Sequence, residues 1–434
     1  MEQVSLRRSL GLRNLVFFGL VAMAPVAGFT VYGFVNQYSN GAVVPAYLLG
    51  GLGMALTASS FATMARTAPG AGSVYGFAML AMGRFAGFIG GWALLLDYGL
   101  ITGLATLFGA IYLVGALPGV PVEPVLGLMC AAALAVNYVG LGLSSKVDLV
   151  STCLQLACAL GFCVLALWLL AGSGGGLTLR PIWPSDGKFA SIVSGSSVSI
   201  IAYLGYDAVS SMAEEVKGDD PGRTVGRAIL ISVAAMATVF VSVSWLLSDL
   251  GAGMTIQDPA NAAFEIVQAK LPVLAVPLAV IAGMALGFSG NFVAHAASSR
   301  IVFALARDGL LPSVLSRVHR RFRSPFVAVI LTFLFFTSVA FAALAHFDVL
   351  SGMVSFGALV AYIFVNLSVL IYLGVANWTG DWLNHRILPG LGIAVLLYIL
   401  SGINTLALEL GLVWMAVGVG VYALAHVRQS RRPA

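Results

Sequence analysis

The sequence predicts an all-α integral membrane protein: 12 transmembrane helices, built as a five-plus-five inverted repeat with broken helices 1 and 6, plus two extra helices. Three observations carry this prediction. Of 434 residues, 60% are hydrophobic and 9% charged, and the mean hydropathy is +0.99, which leaves too little polarity to cover the cores of a water-soluble chain. Stretches of about 20 apolar residues, enough to cross roughly 30 Å of hydrocarbon, recur from end to end. Two of these stretches carry a helix breaker at corresponding places in the order.

The first span, residues 15–34, contains AMAPVAG, where Pro25 removes a backbone donor and clashes with the preceding turn. It follows Arg7, Arg8 and Arg13 but lacks a small-residue cleavage site, so it reads as a retained helix rather than a signal peptide. Spans two to five follow at 43–65, 85–113, 125–143 and 147–170. The third exceeds one crossing and opens on Gly83, Gly87 and Gly91, a small-residue stripe suited to close helix packing. The sixth, 190–213, is weakened by Gly205, and spans seven to ten lie at 228–250, 271–306, 325–345 and 350–373, the eighth again overlong. Broken first and sixth spans, and long third and eighth spans, pair two blocks of five as an inverted repeat around a midplane site. Residues 1–171 and 172–374 are therefore the two repeats, while 375–434 hold spans eleven (387–403) and twelve (406–425) and a cytoplasmic tail.

With the N-terminus inside, 19 of the 22 Lys and Arg fall in the cytoplasm and only Arg180, Lys188 and Lys270 outside, which places both termini in the cytoplasm. The net charge of +5 thus reflects topology and requires no nucleic acid. The basic stretch at 317–323 is read as a topology anchor, with lipid binding as the alternative. Cys130, Cys153, Cys158 and Cys163 lie in apolar spans at spacings that suggest packing rather than a metal site or disulfide. No HExxH, phosphate loop or metal-spaced His pair occurs, so an enzyme is disfavoured and no metal or cofactor is expected. The bilayer, protons and a small solute are the expected partners, in a monomer or homodimer. A continuous pore suits broken helices with buried acids poorly.

Two acids lie deep in apolar runs: Asp97 in GWALLLDYGL and Asp207 in AYLGYDAVSSMAEEV. An acid near the bilayer centre costs about 2.5–3.5 kcal/mol on insertion scales, so each should face protein or water and carry a task. At helical spacing Tyr203, Asp207, Ser210, Ser211 and Glu214 form one polar stripe leading from midplane toward the cytoplasm. The alternative role for Asp207 is to cap the half-helix that starts after the break. A second stripe joins Asn291, His295, Ser298 and Ser299 in the eighth span, where His295 is either a hydrogen-bonded packing residue or a proton carrier.

Four segments then resemble the amino acid–polyamine–organocation (APC) transporters: PGAGSVYGF (69–77), GWALLLDY (91–98), GYDAVSSMAEEVKGDDPGRTVGRAI (205–229) and SSRIVFALARDGLLP (298–312). The resemblance runs through the first ten spans and implies alternating access to a central site between the broken helices. Within the family the chain is most similar to bacterial putrescine-importer-type permeases. Members that grip an α-carboxylate carry a Gly-Ser-Gly-like loop in the first helix, whereas the matching loop here is Ala24, Pro25, Val26, Ala27 and Gly28. The position where several members place a Lys that stands in for sodium is matched here by Gln155, which cannot titrate.

The resulting expectation is a proton-coupled importer of a small organic cation such as putrescine, with an amino-acid permease or exchanger as the alternative. Asp207 meets an amine, and Tyr203, Tyr206 and Tyr98 offer aromatic faces. Asp97 meets a second amine or carries the proton. Asp207, Asp97, Glu214 and His295 are the proton-coupling candidates. The substrate-binding set is completed by Gly205 and the loop from Ala24 to Gly28.

Overall fold

The computed structural model describes residues 10–68, 73–117, 119–139, 145–172, 176–218, 220–320, 322, 324–342, 346–376 and 380–430. Among these the regular structure is helical, apart from one parallel bridge between Leu10 and Val216. The first span is split into α1 (Leu12–Met23), a single turn α2 (Ala27–Thr30) and α3 (Tyr32–Tyr38). Next come α4 (Val43–Thr67), a short α5 (Val74–Met82), α6 (Arg84–Gly115), α7 (Val122–Val139) and α8 (Ser145–Gly172). The sixth span is α9 (Phe189–Tyr203) followed by a 3-10 segment, Tyr206–Glu215. Then follow α10 (Pro221–Leu250), the short α11 (Ala262–Lys270), and the eighth span as α12 (Pro272–Met284), a wide π turn (Ala285–Gly290) and α13 (Asn291–Arg307). The chain finishes with α14 (Phe326–Ala342), α15 (Phe347–Ile371), α16 (Leu388–Leu400) and α17 (Thr405–Ser430).

Nine stretches of the described residues are long and apolar enough to cross a membrane. Three shorter apolar ones, Phe189–Tyr203, Pro272–Phe288 and Phe326–Val339, fall on the expected sixth, eighth and ninth spans. The 32 residues of α6 reach about 48 Å at 1.5 Å per residue, more than one hydrocarbon thickness. This helix is the axle of the fold: 78% of its most apolar window is buried, against 11% for α17. Helices α5, α12, α13, α14, α15 and α17 all pack on it, while α8 packs on α1, α10 and α12.

Local chemistry sets the boundaries. Ser73 caps α5 by accepting the Gly76 N–H at 3.3 Å. Asp220 caps α10 through the Arg223 N–H at 2.8 Å, with Pro221 at the first helical position where its missing donor does no harm. Of the small-residue stripe, Gly87 and Gly91 lie against Met79 and Tyr75 of α5. Gly83 does not share that packing role, because it adopts φ +87° and forms the corner between α5 and α6. Across the face of the fold, the N–H of Lys217 donates to the Leu10 carbonyl at 2.9 Å, so the chain ahead of α1 is tied to the chain after the 3-10 segment.

The outermost helix is clasped to the axle by two indoles. Trp92 Nε1 donates to the Trp414 carbonyl at 2.9 Å, Trp414 Nε1 donates to the Trp92 carbonyl at 3.0 Å, and the rings stack at 4.7 Å. Gly418 makes room, since a Cβ there would stand 2.5 Å from Trp92 Cδ1. Gly418→Ala is therefore expected to destabilise the purified protein by about 1–3 kcal/mol, read as a lower melting temperature. An unchanged melting temperature would remove the clasp from the account.

Candidate functional site

The site starts from two breaks. Helix α1 stops after Met23 because Ala24 takes up φ +49° and Pro25 has no N–H to continue the ladder. In the sixth span, Gly205 adopts φ +107° between the end of α9 and the 3-10 segment. The two breaks touch, since a Cβ on Gly205 would stand 2.5 Å from the Ala22 carbonyl oxygen. Positive φ and this close approach both require glycine.

Several backbone donors around the breaks are occupied internally. The Ala24 N–H donates to the Val21 carbonyl (3.3 Å), the Ala27 N–H to the Ala24 carbonyl (2.8 Å), and the Val26 N–H to Gln155 Oε1 (3.3 Å). On the other side the Ala208 N–H donates to the Gly205 carbonyl at 3.1 Å. The gap presents the carboxyl ends of α1 and α9, the negative poles of their dipoles, beside the starts of α2 and the 3-10 segment. The carboxyl ends attract a cation, while Pro25 and the bonded Val26 N–H offer nothing to a carboxylate.

A cavity of about 130 Å³ lies at this junction. Its walls come from the end of α1 and the first break, from α6, α8, the sixth-span break and the π turn region. Most of the lining is apolar, and its polar side chains are Thr30, Tyr98, Ser151, Thr152 and Gln155. Of the predicted binding residues, Ala24, Ala27, Tyr98 and Gly205 line it. Pro25, Val26 and Gly28 do not; Gly28 instead faces Phe240 of α10.

Asp207 is buried one layer behind the cavity. The hydroxyl of Tyr98, which does line the cavity, donates to Asp207 Oδ2, and the Tyr362 hydroxyl donates to Oδ1 at 3.2 Å. Asp97 is fully buried where α6 meets α15, at a point where Gly357 comes so close that a Cβ would lie 2.8 Å from the Asp97 nitrogen. Neither Asp97 oxygen has a hydrogen-bond partner, and the carboxyl lies within electrostatic reach of Asp207. Among the described residues the ion pairs are Arg66–Asp220 at 3.2 Å and Arg307–Asp308 at 3.4 Å. No fixed cation among them compensates either buried acid.

The predicted polar stripes are rearranged. Because residues 206–215 wind as a 3-10 helix, Asp207 and Ser210 share a face, and Ser210 Oγ donates to the Asp207 carbonyl at 2.6 Å. Tyr203 lies before the break and gives its hydroxyl to the Tyr47 carbonyl at 2.9 Å, its ring against Phe240. Tyr206 packs among Phe61 and Tyr362. The side chains of Ser211, Glu214 and Asn291 lie outside the described residues. His295 faces α14, with Nε2 3.0 Å from the Val329 carbonyl and its ring against Phe333, while its neighbours Ala294 and Ala297 line the cavity. Sequence reasoning passed over Tyr362, a lone tyrosine in an apolar run with nothing to distinguish it from core, and Thr152, the residue before a cysteine in CLQLACALG.

Comparison with known proteins agrees with this architecture. A family model described as Amino acid permease matches residues 14–428. The low-affinity putrescine importer PlaP of Escherichia coli (strain K12) is 28% identical over 443 aligned residues, covering 100% of this chain and 96% of that protein. The branched-chain amino acid permease BcaP of Bacillus subtilis (strain 168) is 24% identical, covering 98% of this chain and 95% of the relative. Cationic amino acid transporter 2, vacuolar, of Arabidopsis thaliana is 30% identical over 84% of this chain and 60% of its own length.

Proposed function

Because this chain belongs to the amino acid permease family and is a membrane transporter, we propose that it imports a small organic cation of the polyamine class, putrescine being the type, by proton-coupled alternating access across a bacterial inner membrane. The observation that carries the reading is the chemistry of the gap. Pro25 has no donor and the Ala24, Val26 and Ala27 N–H groups are occupied, two helix carboxyl ends face the cavity, and an uncompensated acid stands behind Tyr98. The likeness to a putrescine importer supports the same class.

In this reading the ammonium group enters against the carbonyl ends of α1 and α9, and the Tyr98 hydroxyl swings off Asp207 to admit it. Tyr362 keeps its hold on the other carboxylate oxygen and fixes its direction. Asp97 carries the proton. Like charges close together in a poorly polarisable interior resist joint ionisation, so an arriving cation and a departing proton exchange places on the pair. Both termini lie in the cytoplasm, following the distribution of Lys and Arg.

The test is uptake of labelled putrescine into liposomes holding the purified protein, competed by a panel of amines and α-amino acids. Amines are expected to compete and neutral amino acids to leave uptake intact; the reverse order rejects the reading. The amino-acid alternative has the names of two relatives in its favour and needs a carboxylate cradle that Pro25 and the bonded Val26 N–H do not supply. A second experiment addresses coupling. Asp97→Asn protein is expected to exchange putrescine across the membrane at near wild-type rate yet fail to accumulate it under an imposed proton gradient. Accumulation equal to wild type would release Asp97 from that role.

A further inference from the structure

Thr152 breaks a rule that its neighbours in this fold obey. A threonine buried in a helix ordinarily returns its hydroxyl to the carbonyl one turn back. Thr57, Thr102, Thr106 and Thr332 all do so, at 3.0, 2.8, 2.7 and 2.8 Å. Thr152 is 1% exposed and its Oγ1 has no hydrogen-bond partner. A buried hydroxyl without a partner costs about 1–3 kcal/mol, unless something else takes it up.

Its position names the candidate. Thr152 lines the central cavity from α8, one residue after Ser151 and one turn before Gln155. Gln155 is already engaged, accepting the Val26 N–H and donating to Ser151 Oγ at 3.3 Å. That leaves the Thr152 hydroxyl as a polar group of this wall with no hydrogen bond to give up. Tyr98 and the acid behind it lie on the α6 side, and α8 packs on α1, α10 and α12 instead. Among the polar side chains of the cavity, Tyr98 on α6 is backed by a carboxylate and Thr152 on α8 is neutral and unbonded, with apolar lining beside both.

We propose that Thr152 is a second cargo subsite, taking the distal hydrogen-bond donor of a linear diamine whose first ammonium lies at the Tyr98–Asp207 end. The apolar lining suits the methylene spacer. Meeting the cargo requires the hydroxyl to turn to the cavity surface, and no existing hydrogen bond opposes that turn. The neutral wall selects diamine over monoamine by one hydrogen bond rather than by a second charge pair. This inference rests on the amine reading above.

The experiment measures equilibrium binding of putrescine and of butylamine to the purified full-length protein, by titration calorimetry, for wild type, Thr152→Val and Thr152→Ser. Valine keeps the shape and removes the hydroxyl; serine keeps the hydroxyl. The expected result is about a tenfold weaker putrescine affinity in Thr152→Val, with butylamine unchanged and Thr152→Ser close to wild type. Equal effects on both amines, or no effect on putrescine, overturn the subsite. Wild type that binds both amines equally well overturns the subsite and leaves the amine reading standing, whereas wild type that binds neither amine overturns the amine reading and the subsite together. If Thr152→Val does not fold, Thr152→Cys supplies the same comparison with a weaker hydrogen-bonding group of similar size.

Discussion

Asp207→Asn protein reconstituted in liposomes is expected to lose putrescine uptake by at least about 30-fold while keeping a melting temperature close to wild type. Removing one partner of a buried, hydrogen-bonded charge pair costs about 2–5 kcal/mol, which is a factor of roughly 30 to several thousand. Asparagine has the same outline as aspartate, and its carbonyl oxygen can still accept one of the two tyrosine hydroxyls that hold the carboxylate. Its amide can donate to the other hydroxyl once that rotor turns. The packing around Tyr98 and Tyr362 therefore survives, and only the negative charge is removed. Uptake at the wild-type rate by folded Asp207→Asn protein would detach cargo recognition from this residue.

Gly205→Ala is expected to be severely damaging, both to folding and to the site. The backbone there has φ +107°, and the added carbon would lie 2.5 Å from a main-chain oxygen, that of Ala22, which cannot rotate out of the way as a side chain can. Backbone strain of about 1–3 kcal/mol and overpacking of similar size add to roughly 2–6 kcal/mol. The change also forces the two breaks apart and reshapes the cavity they share. A large fall in melting temperature is the expected measurement, with binding lost even where the protein is purified at low temperature. Melting and uptake both at wild-type levels would show that the breaks do not meet.

Much of this architecture was legible in the chain because lipid imposes a simple rule: each crossing needs about 20 apolar residues, and a breaker within one is conspicuous. Pro25 and Gly205 could be read for that reason, and so could the depth of Asp97 and Asp207. The partners of these residues could not. Tyr98 and Asp207 are 109 positions apart and meet only because α6 runs past the sixth-span break. The stripe from Tyr203 to Glu214 assumed a period of 3.6, and the 3-10 winding from Tyr206 replaced it with one near three, which separated Tyr203 from Asp207 and aligned Ser210 instead. His295 shows the same limit: periodicity put it on a polar face, and packing against Val329 decided which neighbour that face met. Thr152 gave no signal at all, since a missing hydrogen bond is visible only once every possible partner has been placed.

The strand-like tie between Leu10 and the backbone at 216–217 joins the head of α1 to the tail of the 3-10 segment. These are the two half-helices on one side of the cavity, so an outward tilt of one pulls on the other. The two are expected to move together, like a double door with a shared hasp, and the fastening lies outside the lining of the cavity.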